Sequence, residues 1–320
     1  TYPKRFLPPA DGKYLLKPVE KILRNADVTF GNGEGTFFNG QGTPKHCKDS
    51  LNCFAFKSPE HYAEYLSNAG FDLINVANNH SGDFGPEARE RTIRILKDRG
   101  IAAAGSLSTP FCIIKKQNRS IGLACFAPNS GTPYINNLSA ARKTIQLLDS
   151  ICDIVIVSMH AGAEGTKNQD VPRQNEIFLG EDRGDVYEFA HAMIDAGADV
   201  VFGHGPHVTR ALDLYKDRFI IYSMGNFCTY GRFNLKGANG IAPIIKVYVD
   251  KDGKFLKGKI YAVKQRGNGG PVLDASGAVI GKLQYLTKKD FPEAPLVISG
   301  SGNITKKKKL GTTKTTQKGL

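Results

Sequence analysis

The sequence predicts an α/β protein, a layered mixed β-sheet flanked by helices. Three observations carry that prediction. Short β-branched runs alternate with helical patterns over the first two-thirds of the chain, the layout of parallel strands joined by crossover helices. The helical stretches end at Gly70, Gly100 and Gly197, where a residue without Cβ supplies a left-handed stop. After Gly225, APIIKVYVD and KFLKGKIYAV flank the turn from Asp250 to Gly253, which reads as an antiparallel hairpin and makes the sheet mixed.

In chain order, the candidate strands are 28–30, 73–76, 121–126, 154–158, 200–202 and 219–222. Ser58 and Pro59 read as the N-cap and first turn of a helix whose apolar face holds Tyr62, Tyr65, Leu66 and Ala69. Pro86 and Gly100 bracket a second helix. A third, from about Asp185 to Ala196, turns Val186, Phe189, Ala190, Met193 and Ile194 inward. Beyond Gly267 the signals are weak, and PLVIS near Pro295 is the last candidate strand. The expected organisation is one principal domain over 1–265, an extension over 266–303 that packs on or near it, and a flexible basic tail over 304–320.

The chain has 320 residues, 41% of them hydrophobic, so disorder is excluded and one large core is within reach. No run of 18 or more apolar residues occurs, so no segment here reads as a membrane-spanning helix. The formal charge of +13 suggests nucleic acid, but six lysines fall in the last 18 residues and no basic stripe interleaved with aromatics occurs elsewhere. Specific nucleic-acid binding is therefore not expected; an anionic envelope polymer is. The chain opens at Thr1 without methionine, which points to processing, so a signal peptide or anchor would lie upstream and any membrane association would run through that segment.

Of the six cysteines, Cys47 and Cys53 share a short polar loop and are expected to form a disulfide. Cys112, Cys125, Cys152 and Cys228 sit in or beside apolar runs and read as small buried hydrophobes. No Cys-x-x-Cys pair offers a thiolate metal site.

Open α/β sheets bind ligands beyond the carboxyl ends of their strands, so the residues following each apolar run are the functional candidates. After VTF come Asn32 and Glu34; after LINVA come Asn78, Asn79 and His80. After IVIVSM come His160 and Glu164; after VVFG come His204 and His207. Imidazole, amide oxygen and carboxylate together form the ligand set of a divalent cation such as zinc, manganese or iron. Such an ion activates water and polarises a phosphoryl oxygen, while the motifs of serine hydrolases and P-loop enzymes are absent.

The segments ADVTFGNGEGTF, GFDLINVANNHSGDFG, DIVIVSMHAGAEG, DAGADVVFGHGPHVTR and FIIYSMGNF, in that order, resemble the signature blocks of the CapA-type capsule-synthesis (poly-γ-glutamate) family. That family resembles calcineurin-like metallophosphoesterases. The resemblance implies a metallophosphoesterase-type fold, an extracytoplasmic location in the cell envelope and other capsule-synthesis proteins as partners. It implies that Glu34, Asn79, His160, His204 and His207 hold the metal. His80 would be a proton donor or phosphate clamp, and Asn32, Asn78 and Asn226 would be supporting site residues. Glu34 stands where phosphoesterases place a bridging aspartate, and Gly205 where they place a histidine.

The leading expectation is a metal-dependent phosphoester hydrolase with His80 and Glu164 as its catalytic groups. A non-catalytic polymer-binding or scaffolding protein is the alternative. A γ-glutamyl polymer hydrolase using Glu34 and Glu164 as bases is the third reading.

Overall fold

The computed structural model describes residues 7–46, 54–231 and 233–307. Cys47 and Cys53 lie outside them, so the expected disulfide does too.

The elements run β1 (Phe30–Asn32), β2 (Thr36–Phe37), β3 (Lys57–Ser58), β4 (Leu73–Asn75), β5 (Ala102–Ala104), β6 (Phe111–Lys116), β7 (Arg119–Phe126), β8 (Ile154–His160), β9 (Ile177–Phe178), β10 (Glu181–Asp182), β11 (Val200–His204), β12 (Leu212–Tyr215), β13 (Arg218–Ile221), β14 (Ile241–Val249), β15 (Phe255–Gln265), β16 (Pro271–Leu273), β17 (Leu296–Ile298) and β18 (Asn303–Lys306). The helices are α1 (Glu20–Leu23), α2 (Tyr62–Ala69), α3 (Gly85–Lys97), α4 (Leu138–Ile151), α5 (Val186–Asp195) and α6 (Ala278–Asp290).

Three sheets make the layers. A six-stranded sheet has the order β12-β13-β11-β8-β7-β6, with β7, β8, β11 and β13 parallel and the two outer strands antiparallel. A parallel three-stranded sheet runs β1-β4-β5, and a C-terminal antiparallel sheet runs β14-β15-β18-β17 with β16 on β15.

Period-2 geometry divides the labour within the long strands. On β8, Val155, Val157 and Met159 face one way and join Ala141, Ile145 and Leu148 of α4 and Phe189 and Met193 of α5 in one core. Ile156 faces the other way, into a second core with Leu73 and Ala104 of the three-stranded sheet. Val201 of β11 likewise faces the helices, while Phe202 stacks on Phe30 of β1 with ring centroids 5.2 Å apart. His160 and His204 continue the even rows, so both point between the sheets.

Five of the six strands expected from the sequence form at those positions, and β14 and β15 make the expected hairpin; the strand expected over 28–30 is a correction, since β1 begins at Phe30, where pairing with Leu73 of β4 starts, and runs to Asn32. Gly70 takes φ +95° at the end of α2, and Asp185 caps α5 by accepting from the Glu188 N–H at 2.9 Å. Ser58 is a correction: it pairs with Phe37 in β3, and α2 begins only at Tyr62. The hydroxyl residue there serves a short ladder, not a cap. Cys125 is buried, but Cys228 is exposed, against the expectation for an apolar run.

The C-terminal stretch holds more structure than its polar sequence suggests. Helix α6 sends Val279, Ile280 and Leu283 into a core shared with Phe255 and Ile260 of β15. The boundary set at 304 falls inside β18: Ile304 is fully buried and pairs with Gly258. The tail expected from 304 therefore begins no earlier than Lys307.

Strands β1 and β14 are sheet edges that face a common apolar cavity of about 650 Å³. Residues 27–34 and 243–249 line it without a break, as edges do, whereas β8 and β11 contribute alternate residues, as faces do. Glu34, His204 and Asn226 stand among its lining residues.

Candidate functional site

The carboxyl ends of β1, β4, β8 and β11 converge at one rim. In the parallel register His160 is the partner of His204, which sets two imidazoles side by side on one face. His160 is fully buried and His204 nearly so. Burial, reinforced by His207, His204, Arg183 and His80, holds the His160 pKa well below the usual imidazole value. Burial alone lowers that of His204 to about 3. Both rings are therefore neutral at physiological pH, the form in which imidazole donates to a metal.

His207 reaches the same place by a different route. Its own φ is +57°, and the glycine two residues earlier, Gly205, has φ +111° with no room for a side chain. A Cβ at Gly205 would lie 2.9 Å from the backbone N and O of Ala161. The chain after β11 thus passes close to the chain after β8, and position 205 has no room for a side chain in this backbone. His207 Nδ1 donates to Asn226 Oδ1 at 2.8 Å, and the Asn226 amide is held in turn by the Asn239 carbonyl at 3.1 Å. The other nitrogen, Nε2, faces Glu34 Oε1 at 3.5 Å and Glu164 Oε2 at 3.9 Å. Burial opposes protonation of His207, but Glu34, Glu164 and the Asn226 acceptor outweigh it and raise its pKa.

His80 closes the rim from β4. Its Nε2 lies 3.9 Å from Glu34 Oε1, and its Nδ1 pairs with Asp83 Oδ2 at 2.7 Å. Asp83 is completely buried and also meets the Lys45 ammonium at 2.6 Å and the Phe56 N–H at 2.6 Å. The Phe56 ring packs on His80 at 4.1 Å. An acceptor fixed at Nδ1 leaves Nε2 as the nitrogen presented to the rim.

Glu164 is placed by Arg183, whose Nη2 lies 3.1 Å from Glu164 Oε1 and whose Nε lies 3.0 Å from Glu181 Oε2. The result is a row in which acidic and basic side chains alternate: Glu181, Arg183, Glu164, His207, Glu34, His80, Asp83, Lys45.

The structure thus brings together Glu34, His80, His160, Glu164, His204, His207 and Asn226. Asn32 and Asn78 are engaged within the β1 and β4 segments instead: Asn32 Oδ1 accepts from the Asn75 side-chain amide at 3.1 Å, and the Asn78 side-chain amide donates to the Gly33 carbonyl at 3.0 Å. Asn78 also accepts from the His80 N–H at 3.1 Å, which ties the β1 and β4 loops together. Sequence reasoning missed Asp83 and Arg183. The i, i+3 spacing of His80 and Asp83 was the available signal for the first; nothing local pointed to the second.

Glu34 Oε1, Asn79 Oδ1, both ring nitrogens of His160 and His204 Nε2 are buried and lack hydrogen-bond partners. Buried polar atoms are rarely left so, and carboxylate, amide oxygen and imidazole nitrogen are the donor types a divalent cation takes. By donor chemistry the residues fit a metal. As placed, no group of three or more His, Cys, Asp or Glu among the described residues closes on a single metal position.

The model of the family described as "Bacterial capsule synthesis protein PGA_cap" matches residues 2–230. The capsule biosynthesis protein CapA of Bacillus anthracis is 28% identical over 233 residues, covering 67% of this chain and 53% of that protein. The PGA biosynthesis protein CapA of Bacillus subtilis is 28% identical over 232 residues, covering 65% and 55%. The chain spans about half the length of these curated relatives. Among solved structures, a hypothetical protein from Thermus thermophilus aligns with a TM-score of 0.48 at 15% identity, covering 79% of this chain and 94% of that one. The NAD nucleotidase of Haemophilus influenzae aligns with a TM-score of 0.30 at 13% identity, covering 67% and 36%. Both scores lie below 0.5, and the architecture above stands on the chain's own topology.

Proposed function

The chain belongs to the bacterial capsule synthesis protein family, and from that premise we propose that it serves the assembly of an extracytoplasmic anionic polymer of the poly-γ-glutamate type. We further propose that its rim is a metal-dependent hydrolytic site for a phosphoester. The observation that carries the second part is the set of buried polar atoms without a hydrogen bond on Glu34, Asn79, His160 and His204. These residues, with His207, would hold the ion, of which zinc, manganese and iron are the candidates. Such an ion, when bound, supplies an acidified water and a Lewis acid for the phosphoryl oxygen.

The chain's own groups divide the remaining work. His80 presents Nε2 to the rim while its Nδ1–H is held on Asp83, so the neutral ring accepts a proton at Nε2, and only the imidazolium so formed passes that proton to a leaving oxygen. Asn226 orients His207, and Arg183 orients Glu164. Phe56 covers one side of His80 and limits water there.

Metal analysis of the purified protein, then hydrolysis of bis(p-nitrophenyl) phosphate with added Mn²⁺ or Zn²⁺, tests this reading. Turnover that is lost with chelator and lost in His160→Ala supports it. Absence of both bound metal and turnover would favour a non-catalytic polymer-binding or scaffolding protein, the reading supported by the open arrangement of the donors.

A further inference from the structure

Two open strand edges face each other across the apolar cavity. Among the described residues, β1 pairs only with β4, and β14 only with β15. Backbone groups alternate sides along a strand, so the bonds already made show which groups face the cavity. On β1, the Thr29 carbonyl accepts from the Leu73 N–H at 3.1 Å, and the Gly33 N–H donates to the Asn75 carbonyl at 2.8 Å. The odd residues thus face β4, and Phe30 and Asn32 turn their N–H and C=O to the cavity. On β15, the Ile260 N–H donates to the Gly302 carbonyl at 2.7 Å and the Ala262 carbonyl accepts from the Asp274 N–H at 2.9 Å, both on the side away from β14. Their register partners Ile245 and Pro243 therefore turn away from β15 and toward the cavity, as Val247 does two residues on.

The two edges belong to one layer. Ile74 of β4 and Ile244 of β14 join a single cluster with the helical residues Leu23, Ala69 and Leu96. On the opposite side, Leu73 of β4 and Ile245 of β14 meet clusters that share Phe202 of the six-stranded sheet. The three-stranded and C-terminal sheets are thus two parts of one sheet plane, covered by helices on one side and by β11 on the other.

We propose that the cavity accepts one extended polypeptide strand, which pairs with β1 and β14 at once and joins the two sheets. Only a backbone supplies donors and acceptors along both edges; an acyl chain would fill the volume and leave the edge groups without partners. Layers cover the slot on both faces, so the donor strand reads as a nearly continuous apolar run, about seven residues long. No apolar run of that length occurs in TYPKRF, CKDSLNC or KKLGTTKTTQKGL. The strand therefore comes from polypeptide outside these 320 residues. Main-chain bonds to both edges give it affinity, and the apolar faces select its side chains. Pairing of this kind is independent of any hydrolysis at the rim.

The probe is a fluorescein-labelled peptide copying residues 153–159, DIVIVSM, with two terminal lysines for solubility, because β8 holds this run buried on both faces. Binding to the full chain is read by anisotropy, and backbone hydrogen exchange is read residue by residue. The peptide should bind one to one and slow exchange at the Phe30, Asn32, Ile245 and Val247 amides by roughly 10-fold or more. The same peptide carrying Val157→Pro should bind about 10-fold more weakly or not at all. In the protein, Val247→Pro removes a cavity-facing N–H and leaves the bonds to β15 in place, so it should weaken binding likewise. Circular dichroism checks that variant, and the two peptides compared on the parent chain decide the matter should it misfold. No binding of the first peptide, equal binding of the proline peptide, or protection confined to one edge overturns the proposal. Binding of palmitate in the cavity with no binding of the peptide also overturns it, in favour of an acyl chain.

Discussion

Arg210 and Glu176 meet through two hydrogen bonds of 2.7 Å, with Arg210 fully buried. Glu176 also accepts from the Ala163 N–H at 3.0 Å, and Arg210 donates to the carbonyls of Ala163 at 3.1 Å and Asn168 at 2.9 Å. The loop that bears Glu164 therefore hangs on this pair, and so does the segment that follows His207. A buried pair left with one partner keeps an uncompensated charge, so Arg210→Met or Glu176→Leu alone should cost about 3–5 kcal/mol in urea unfolding. The double replacement should recover much of that loss. Additive losses in the double variant would show that the two residues stabilise the fold separately.

His80→Ala should lower turnover on a phosphodiester roughly 10²–10⁴-fold while bound metal stays constant. His160→Ala should reduce both, because its ring nitrogens have no other partner. Metal content and rate measured on the same samples decide it; equal metal loss in the two variants would contradict the separate roles.

Gly205→Ala should destabilise the protein by ~1–3 kcal/mol from the backbone conformation alone, with the Ala161 contact adding to it. Thermal melting is the measurement. A melting temperature equal to that of the parent would mean that the chain after β11 does not press on the chain after β8.

Ile304→Ala should cost about 2–5 kcal/mol, since a fully buried side chain leaves a cavity between β15 and α6. Removing residues 308–320 should leave the melting temperature unchanged, and removing 303–320 should lower it sharply. Equal effects of the two truncations would misplace the end of the folded chain.

Asp199 carries a pH signature. Burial raises its pKa to about 6, although the Val155 N–H at 2.8 Å and Arg218 at 3.0 Å favour the charge. A carboxyl whose folded pKa exceeds its unfolded one of 3.8 favours folding most below that lower value, and the advantage disappears as pH rises through 6. Compared with Asp199→Asn, the parent should thus lose relative stability between pH 4 and 7. Parallel stability curves for the two proteins across that range would contradict the shift.

The parallel strands and their polar ends were legible because β-branched runs ending in His or Asn repeat a local pattern, as at Met159–His160 and Gly203–His204. What stayed illegible depends on distance along the chain. The Arg210–Glu176 pair spans 34 residues, and Arg183 reaches Glu164 only because Gly162 N–H donates to the Arg183 carbonyl at 2.9 Å. Helix α6 lacks strong start signals, opening at Gly277 with no side-chain cap, and β18 is a short strand whose one buried apolar residue, Ile304, sits among Asn, Thr and Lys. Ser58 misled because serine before proline suits a cap and a strand end equally well.

The even and odd rows of β8 and β11 bear on how such a protein changes over generations. Val155, Val157, Met159 and Val201 carry the packing, while His160 and His204, the donors of the proposed site, stand on the opposite side of the same two strands. A lineage could exchange the donors at 160 and 204 without repacking the helices, and could repack the helices without moving the donors. Innovation at the rim and drift in the core are thereby kept on separate accounts, which leaves this scaffold unusually free to acquire, alter or lose a reaction while remaining the same fold.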